Sequence, residues 1–151
     1  MGGDGCGVSD RLGRDIVAGH EVGRWVYERI GGIYHPEASA SIGLQREGKI
    51  VAGVVFYNWN GQSAMASIAA DAPLSRGFLG AIFRYPFVFG GLGQIVVTVV
   101  GNNLKSLRLA ARMGFTEQAR LPDAHPSGDL VFMVLRREDC RFLGVRYGQA
   151  G

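Results

Sequence analysis

Residues 90–115 read GGLGQIVVTVVGNNLKSLRLAARMGF: a turn, an apolar run, a polar break, a helical pattern and a glycine stop. The run 94–100 (QIVVTVV) is continuous and β-branched, which suits a strand covered on both faces. Gly101, Asn102 and Asn103 end that strand, and an Asn side-chain oxygen is a good acceptor for an orphan amide at a helix start. Leu104, Leu107, Arg108 and Ala111 recur at helical spacing, and Gly114 stops the helix where a positive φ is needed. A covered strand feeding an amphipathic helix is an α/β unit, so the remaining segments are read as what covers it.

Upstream, residues 12–30 carry an apolar stripe through Ile16, Val17, Val22, Trp25, Val26 and Ile30 and are expected to form a helix ended by Gly31 and Gly32. Residues 33–39 read as a loop, with Pro36 holding His35 out of helical geometry. Three strands follow at 40–46, 49–57 and 63–70, the last two joined by an Asn-Gly turn within NWNGQ. Small residues in the third strand permit close approach to its backbone. A helix over 75–89 starts at Ser75 and meets Pro86 inside its pattern, which kinks or shortens it. After Phe115 come a strand at 116–121, a turn at 122–129, a strand at 130–136 and a short helical turn at 137–142. The fold class expected is α/β (α+β): one domain over 11–143, built on a mixed, mostly antiparallel sheet with helices on both faces. A loose start at 1–10 and a loose tail at 144–151 flank it.

Composition agrees with a globular domain: 47% hydrophobic, 19% charged, and 151 residues to build one core. The net charge of +3 is small, but its distribution is uneven. Residues 1–75 hold 6 Lys/Arg against 8 Asp/Glu, and residues 76–151 hold 10 against 5. A polyanionic ligand, a nucleic-acid surface or simple solvation all fit that asymmetry. Cys6 and Cys140 show no paired spacing and no signal peptide is visible, which points to free thiols in a reducing cytoplasm. The long apolar stretch 78–101 is interrupted by Arg84, Pro86 and Gln94, so no membrane span is expected. The His and Cys residues lack ligand spacing, and no metal site is expected.

The order of elements, and the segment 89–115 in particular, resembles the GNAT superfamily of acyl-CoA N-acyltransferases. Asn103, Ser106, Gly114 and Phe115 fall at the positions of that family's strand–Asn–helix–Gly-Phe pattern. The ending LVFMVLRREDCRFL is similar to the branch of ribosomal-protein and antibiotic acetyltransferases and to phage-encoded relatives. A second resemblance is APLSRGFLGA at 72–81, where Arg76 and Ala81 match the ends of the family's cofactor loop, Leu79 replaces its middle glycine, and Gly77 and Gly80 flank it.

The resemblance implies acetyl-CoA (acyl-CoA) as cofactor. Its pantetheine arm would lie along Ser67, Ile68, Ala69, Ala70 and Asp71, in a gap where the strands 63–70 and 94–100 splay apart at their ends. Its diphosphate would lie on Arg76, Gly77, Phe78, Leu79, Gly80 and Ala81, with further contacts from Asn103 and Ser106. It implies acetyl transfer to a primary amine by direct attack. His35 and Asp71 are candidate proton acceptors, and Tyr57, Trp59 and His125 candidate acceptor-binding residues. Two family features are missing: Ala110 stands where many members carry a tyrosine acid, and no Glu sits on the third strand. Arg84, Arg108 and Arg112 are candidates for a 3′-phosphate. Two rival readings stay open: a phage-type protein modifying nucleobases in DNA, and a CoA-binding module without turnover. The acceptor is a small molecule or a protein amine, and the chain a monomer or homodimer.

Overall fold

A computed structural model describes residues 15–144 and residue 147. The stretches 1–10, 145–146 and 148–151, Cys6, and the first residues of the expected opening helix lie outside them. Among the described residues, seven strands form one sheet in the order β1-β2-β3-β4-β5-β7-β6. They are β1 (Ile16–Ala18), β2 (Ser39–Arg46), β3 (Lys49–Tyr57), β4 (Ser63–Ala70), β5 (Gln94–Val100), β6 (Thr116–His125) and β7 (Gly128–Arg136). All neighbours are antiparallel except β4 and β5, which are parallel. Three helices flank the sheet: α1 (His20–Ile30), α2 (Arg76–Arg84) and α3 (Leu104–Met113).

Successive side chains on a strand point to opposite faces, and the two clusters of buried residues follow that alternation. Ala52, Val54, Phe56, Ala66, Ile95, Val97, Val131 and Met133 pack with Phe78, Ile82 and Phe83 of α2 and Ala110 and Met113 of α3. On the other face Val55 and Ala69 pack with Val22 and Val26 of α1. That contact is tight because the sheet offers glycines beneath the helix. A Cβ on Gly53 would stand 2.8 Å from Val26 Cγ2, and one on Gly43 would stand 2.8 Å from Val22 Cγ2.

The central unit forms as read. Its strand spans Gln94–Val100, the Asn103 side chain accepts the Ser106 N–H, and Gly114 closes the helix at φ 104°. Its coverage differs from expectation. Ile95, Val97 and Val99 are buried toward α2 and α3, but the alternate residues are only half-buried, so the strand is sealed on one face.

Four boundaries also differ. The opening stripe is a strand, Ile16–Ala18, then α1, with Gly19 at φ 122° separating them. Residues 33–38 include a 3₁₀ turn, Pro36–Ala38. The expected helix over 75–89 is α2 followed by a wider π turn, Tyr85–Phe89, because Pro86 has no N–H to continue an α ladder. The expected turn at 122–129 shrinks, since β6 runs through Pro122 to His125, with register shifts that absorb the proline on a sheet edge.

At the C-terminal end, Phe142 stacks on Phe83 at 4.9 Å, and Tyr147 lies edge-on to Phe142 at 5.0 Å. Tyr147 thus packs on the body of the domain although it falls within the stretch expected to be loose. No helix among the described residues is long and apolar enough to cross a membrane.

Candidate functional site

The parallel pair is where the sheet opens. β4 and β5 are in register at Ser63–Gln94, Ala64–Ile95, Met65–Val96 and Ala66–Val97, and pair no further. Both strands continue, β4 to Ala70 and β5 to Val100. A notch therefore runs from a vertex at Ala66 and Val97 to a mouth at the C-terminal ends. Along it, the β5-facing edge of β4 presents backbone groups without a strand partner among the described residues. At the other end of the pairing, Gly93 N–H and Gln94 N–H both reach Gln62 O, at 2.8 and 3.3 Å, and fix the register.

Helix α2 begins at the mouth. Ser75 caps it, its Oγ accepting Phe78 N–H at 3.2 Å and its carbonyl accepting Leu79 N–H at 3.0 Å. The N–H groups of Arg76 and Gly77 have no partner among the described residues. A helix N-terminus with free N–H groups suits an anion. The loop before it is tied down on three sides. Asp71 N–H reaches Val51 O at 2.7 Å, the Arg29 guanidinium reaches Asp71 Oδ2 at 3.0 Å, and Arg46 donates to Pro73 O at 3.2 Å. Arg29, Arg46 and Arg76 thus give the mouth a positive character.

The expected cofactor residues divide by role. Arg76 and Gly77 stand at the open helix end. Phe78 and Ala81 are buried in the core, and half-buried Leu79 packs against it. Gly80 is used for packing, since a Cβ there would collide with the Tyr147 carbonyl oxygen. On β4, Ile68 and Ala70 lie toward α2 and α3, and Ala69 is buried under α1. Asn103 and Ser106 form the cap of α3 just beyond β5. Arg84 is buried, 7% exposed, donating to Tyr147 O, with its pKa lowered by burial, so it is not a surface cation beside Arg108 and Arg112.

The other candidates are not gathered in one place. Asp71 is at the mouth, ion-paired to Arg29, whose guanidinium stacks 3.6 Å over the Trp25 ring. His35 is exposed and precedes β2, which enters the sheet at Ser39 opposite Tyr57, at the end away from the mouth. His125 is in the β6–β7 hairpin, where its Nδ1 accepts Ser127 N–H at 3.0 Å. That hairpin is held to the end of β5 by Gly101 N–H to Asp129 O and by Asn102 Nδ2 to Ser127 O, both 2.8 Å, so His125 borders the mouth side. Tyr57 and Trp59 part company. Tyr57 faces α1, while Trp59 packs with Tyr85 at 5.6 Å and lines a cleft of about 200 Å³ with Tyr85, Phe89 and Gly90 at the pole opposite the mouth.

Sequence reasoning placed Ser67 on the strand that lines the cofactor arm but missed the hydroxyl that meets it at the vertex. Tyr27 of α1 places its hydroxyl 3.5 Å from Ser67 Oγ, on the first β4 residue past the paired segment. Burial raises the Tyr27 pKa, against the lowering effect of the Ser67 hydrogen bond, and nearby Tyr57 and Tyr34 raise it further. Tyr34 completes the wall, its ring 5.6 Å from Tyr27 and its hydroxyl 3.0 Å from His20 Nδ1. The available signal was one hydroxyl in the interior of each otherwise apolar strand.

Cys140 is free and lies beyond β7, at the end away from the mouth; burial pushes its thiol up to about 11. Among the described residues, no group of three or more His, Cys, Asp or Glu is placed to hold a metal ion.

No family model matches the chain, and no curated protein matches it. Solved structures do. A putative acetyltransferase from Salmonella typhimurium, solved with acetyl-CoA, aligns at TM-score 0.55 and 20% identity over 65% of this chain and 64% of that one. The ribosomal-protein-S5-alanine acetyltransferase of Vibrio fischeri aligns at TM-score 0.59 and 15% identity, over 70% and 65%. A variant of the Vibrio cholerae spermidine N-acetyltransferase aligns at TM-score 0.60 and 19% identity, over 83% and 78%. The chain spans less than two thirds of the length of the Salmonella protein and of a probable acetyltransferase matched at 63%. The fold of this chain is that of GNAT-type acetyltransferases.

Proposed function

We propose that the chain is an acyl-CoA-dependent N-acyltransferase that acetylates a primary amine. The observation carrying this reading is the notch: two parallel strands part beyond Ala66 and Val97, and a helix start with two free N–H groups stands at its mouth. Its residues fit acetyl-CoA. The free edge of β4 over 67–70 offers strand-like pairing to an extended amide-bearing arm. The Arg76 and Gly77 N–H groups, with the Arg76 and Arg46 cations nearby, suit a diphosphate. Asn103 borders the same end of the sheet, whereas Arg112, in the last turn of α3, lies at the opposite end beside Arg141 and is not placed for a 3′-phosphate at the mouth. When bound, acetyl-CoA supplies an activated acyl thioester, and this chain's contribution is to hold it against an acceptor. The structural neighbours, one solved with acetyl-CoA and others a spermidine and a ribosomal-protein-alanine acetyltransferase, support a transferase acting on an amine.

Direct attack, without an acyl-cysteine, is favoured by Cys140, whose thiol is buried, protonated at neutral pH and remote from the notch. Within this reading Asp71 anchors the loop through Arg29 and is not the base. His125, at the mouth side, is the better placed of the two histidines for the acceptor. The ribosomal-protein and antibiotic branch and a cytoplasmic location are finer proposals within this reading; a phage-type nucleobase modifier is its rival, and no observation here favours it. A second reading, a CoA-binding module without turnover, is favoured by Ala110, which is buried at 4% exposure where a tyrosine acid would be expected.

The test is ligand-induced stabilisation. A ligand at about 100 times its Kd stabilises the folded state by about 2.7 kcal/mol, so millimolar acetyl-CoA should raise Tm by several degrees. Arg76→Glu should reduce that rise. An unchanged Tm in the wild type would overturn the proposal.

A further inference from the structure

The side chains on the α1 face fall into cross-strand rows. One row runs Ser39, Tyr57, Met65, Val96, Val134, Thr116, each residue opposite the next. The next runs Ser41, Val55, Ser67, and resumes across the notch with Thr98, Phe132, Ala119. The first row crosses from β4 to β5 through a hydrogen-bonded pair; the second meets the gap. Ser67 and Thr98 are therefore the α1-face residues that flank the vertex from either side. Each is the single polar residue in the interior of its strand, SAMASIAA and QIVVTVV.

An extended molecule lying in the notch with its anionic end at the start of α2 has its far end at this vertex. The Tyr27 hydroxyl reaches Ser67 Oγ there from α1. The opposite face supplies no comparable group, since Ala110 occupies the inward side of α3. Tyr27 is itself backed by the Tyr34 ring, which lies where a side chain on Gly23 would stand.

We propose that the Ser67 hydroxyl, oriented by Tyr27 and with Thr98 across the vertex, relays the proton displaced during acyl transfer; this rests on the transferase reading above. Transfer joins the acceptor nitrogen to the acyl carbon, breaks the carbon–sulfur bond with its electron pair kept by sulfur, and moves one proton from nitrogen to sulfur. No oxidant or reductant is needed. A hydroxyl can take a proton on its oxygen as it gives up its own, so the relay ends as it began. Ser67 Oγ is the member facing the reacting atoms. Tyr27 is a positioning residue that orients it, and burial keeps the phenol protonated and able to donate.

Two readouts test this. In the first, carbon-13 NMR follows the Tyr27 Cζ resonance, identified by its loss in Tyr27→Phe, as coenzyme A is added. The resonance should move with coenzyme A and should move in Ser67→Ala; indifference to either change overturns the relay. In the second, free thiol released from acetyl-CoA is measured with spermidine and with a peptide bearing a free N-terminal alanine. Removing a proton-transfer group costs about 100-fold or more, so kcat should fall by that order in Ser67→Ala and by about tenfold in Tyr27→Phe, at constant KM for acetyl-CoA. Ser67→Thr should restore it and Tyr85→Phe, at the far pole, should match wild type. Full turnover in both Tyr27→Phe and Ser67→Ala overturns the relay. Failure of acetyl-CoA to bind in calorimetry overturns the transferase reading instead. Binding with no thiol release from either amine overturns the relay and leaves the binding-module reading.

Discussion

The two halves of the sheet are treated differently on the face that carries α1. Over β2, β3 and β4 the helix lies so close that Gly43 and Gly53 must lack side chains, and Val22, Val26 and Val55 are at most 1% exposed. Over β5, β7 and β6 the same face has no helix among the described residues. Val96, Thr98, Leu130, Phe132 and Val134 are only half-buried, and β6 is exposed almost throughout. The opposite face is covered by α2 and α3 from β2 to β7, leaving only the edge strand β6 exposed there. The boundary between the closed and open halves falls at β4 and β5, where the strands part. A covered strand edge beside an uncovered one leaves the notch open toward the α1 side, while its other side packs against α2 and α3.

That contrast can be broken most severely in the closed half. Gly53→Leu drives a branched side chain into Val22 and Val26, and overpacking of this kind costs about 1–3 kcal/mol or more, enough to consume much of a domain's stability. Thermal denaturation should show a large fall in Tm or loss of the folded state. On the sealed helix side of the open half, Cys140 offers a pH test. Its pKa is raised from 9.0 to about 11, so the native state holds its proton more tightly than the unfolded chain does. The stability this contributes is complete below pH 9 and is lost as pH rises from 9 toward 11; Cys140→Ala should flatten that decline in urea titrations. In the open face, Val134→Thr keeps the β-branched shape at a half-exposed site and should shift stability by less than about 1 kcal/mol. Smallest of all, Arg29→Ala removes an exposed pair with Asp71 and should cost about 0.2–1 kcal/mol, less at high salt, read from chemical denaturation.

Legibility in the sequence followed the same boundary. The unit 90–115 was readable because β-branched residues, an Asn cap and a stop glycine all agree locally, and its bounds match the structure. The short β1 was merged into the helix that follows it, because three apolar residues fit either period and only Gly19 marks the break. The extension of β6 through Pro122 was hidden because proline is acceptable only on an edge, and edge position is a property of topology. For the site, the helix start at Ser75 and the small residues of β4 were visible. The separation of Tyr57 from Trp59, the burial of Arg84 and the meeting of Tyr27 with Ser67 were not. Each depends on which face a residue occupies or on how distant segments align, and neither is encoded locally.

The clasp of Gly93 and Gln94 on Gln62 gains importance from this. Side chains alternate with a period of two, so shifting β5 by one residue against β4 would rotate Thr98 into the helix-lined interior and bring Val97 or Val99 to the vertex. The side chains presented at the vertex are thus indexed by two amide hydrogens at the start of the pairing, and whatever disturbs that latch would change which groups stand there without touching them.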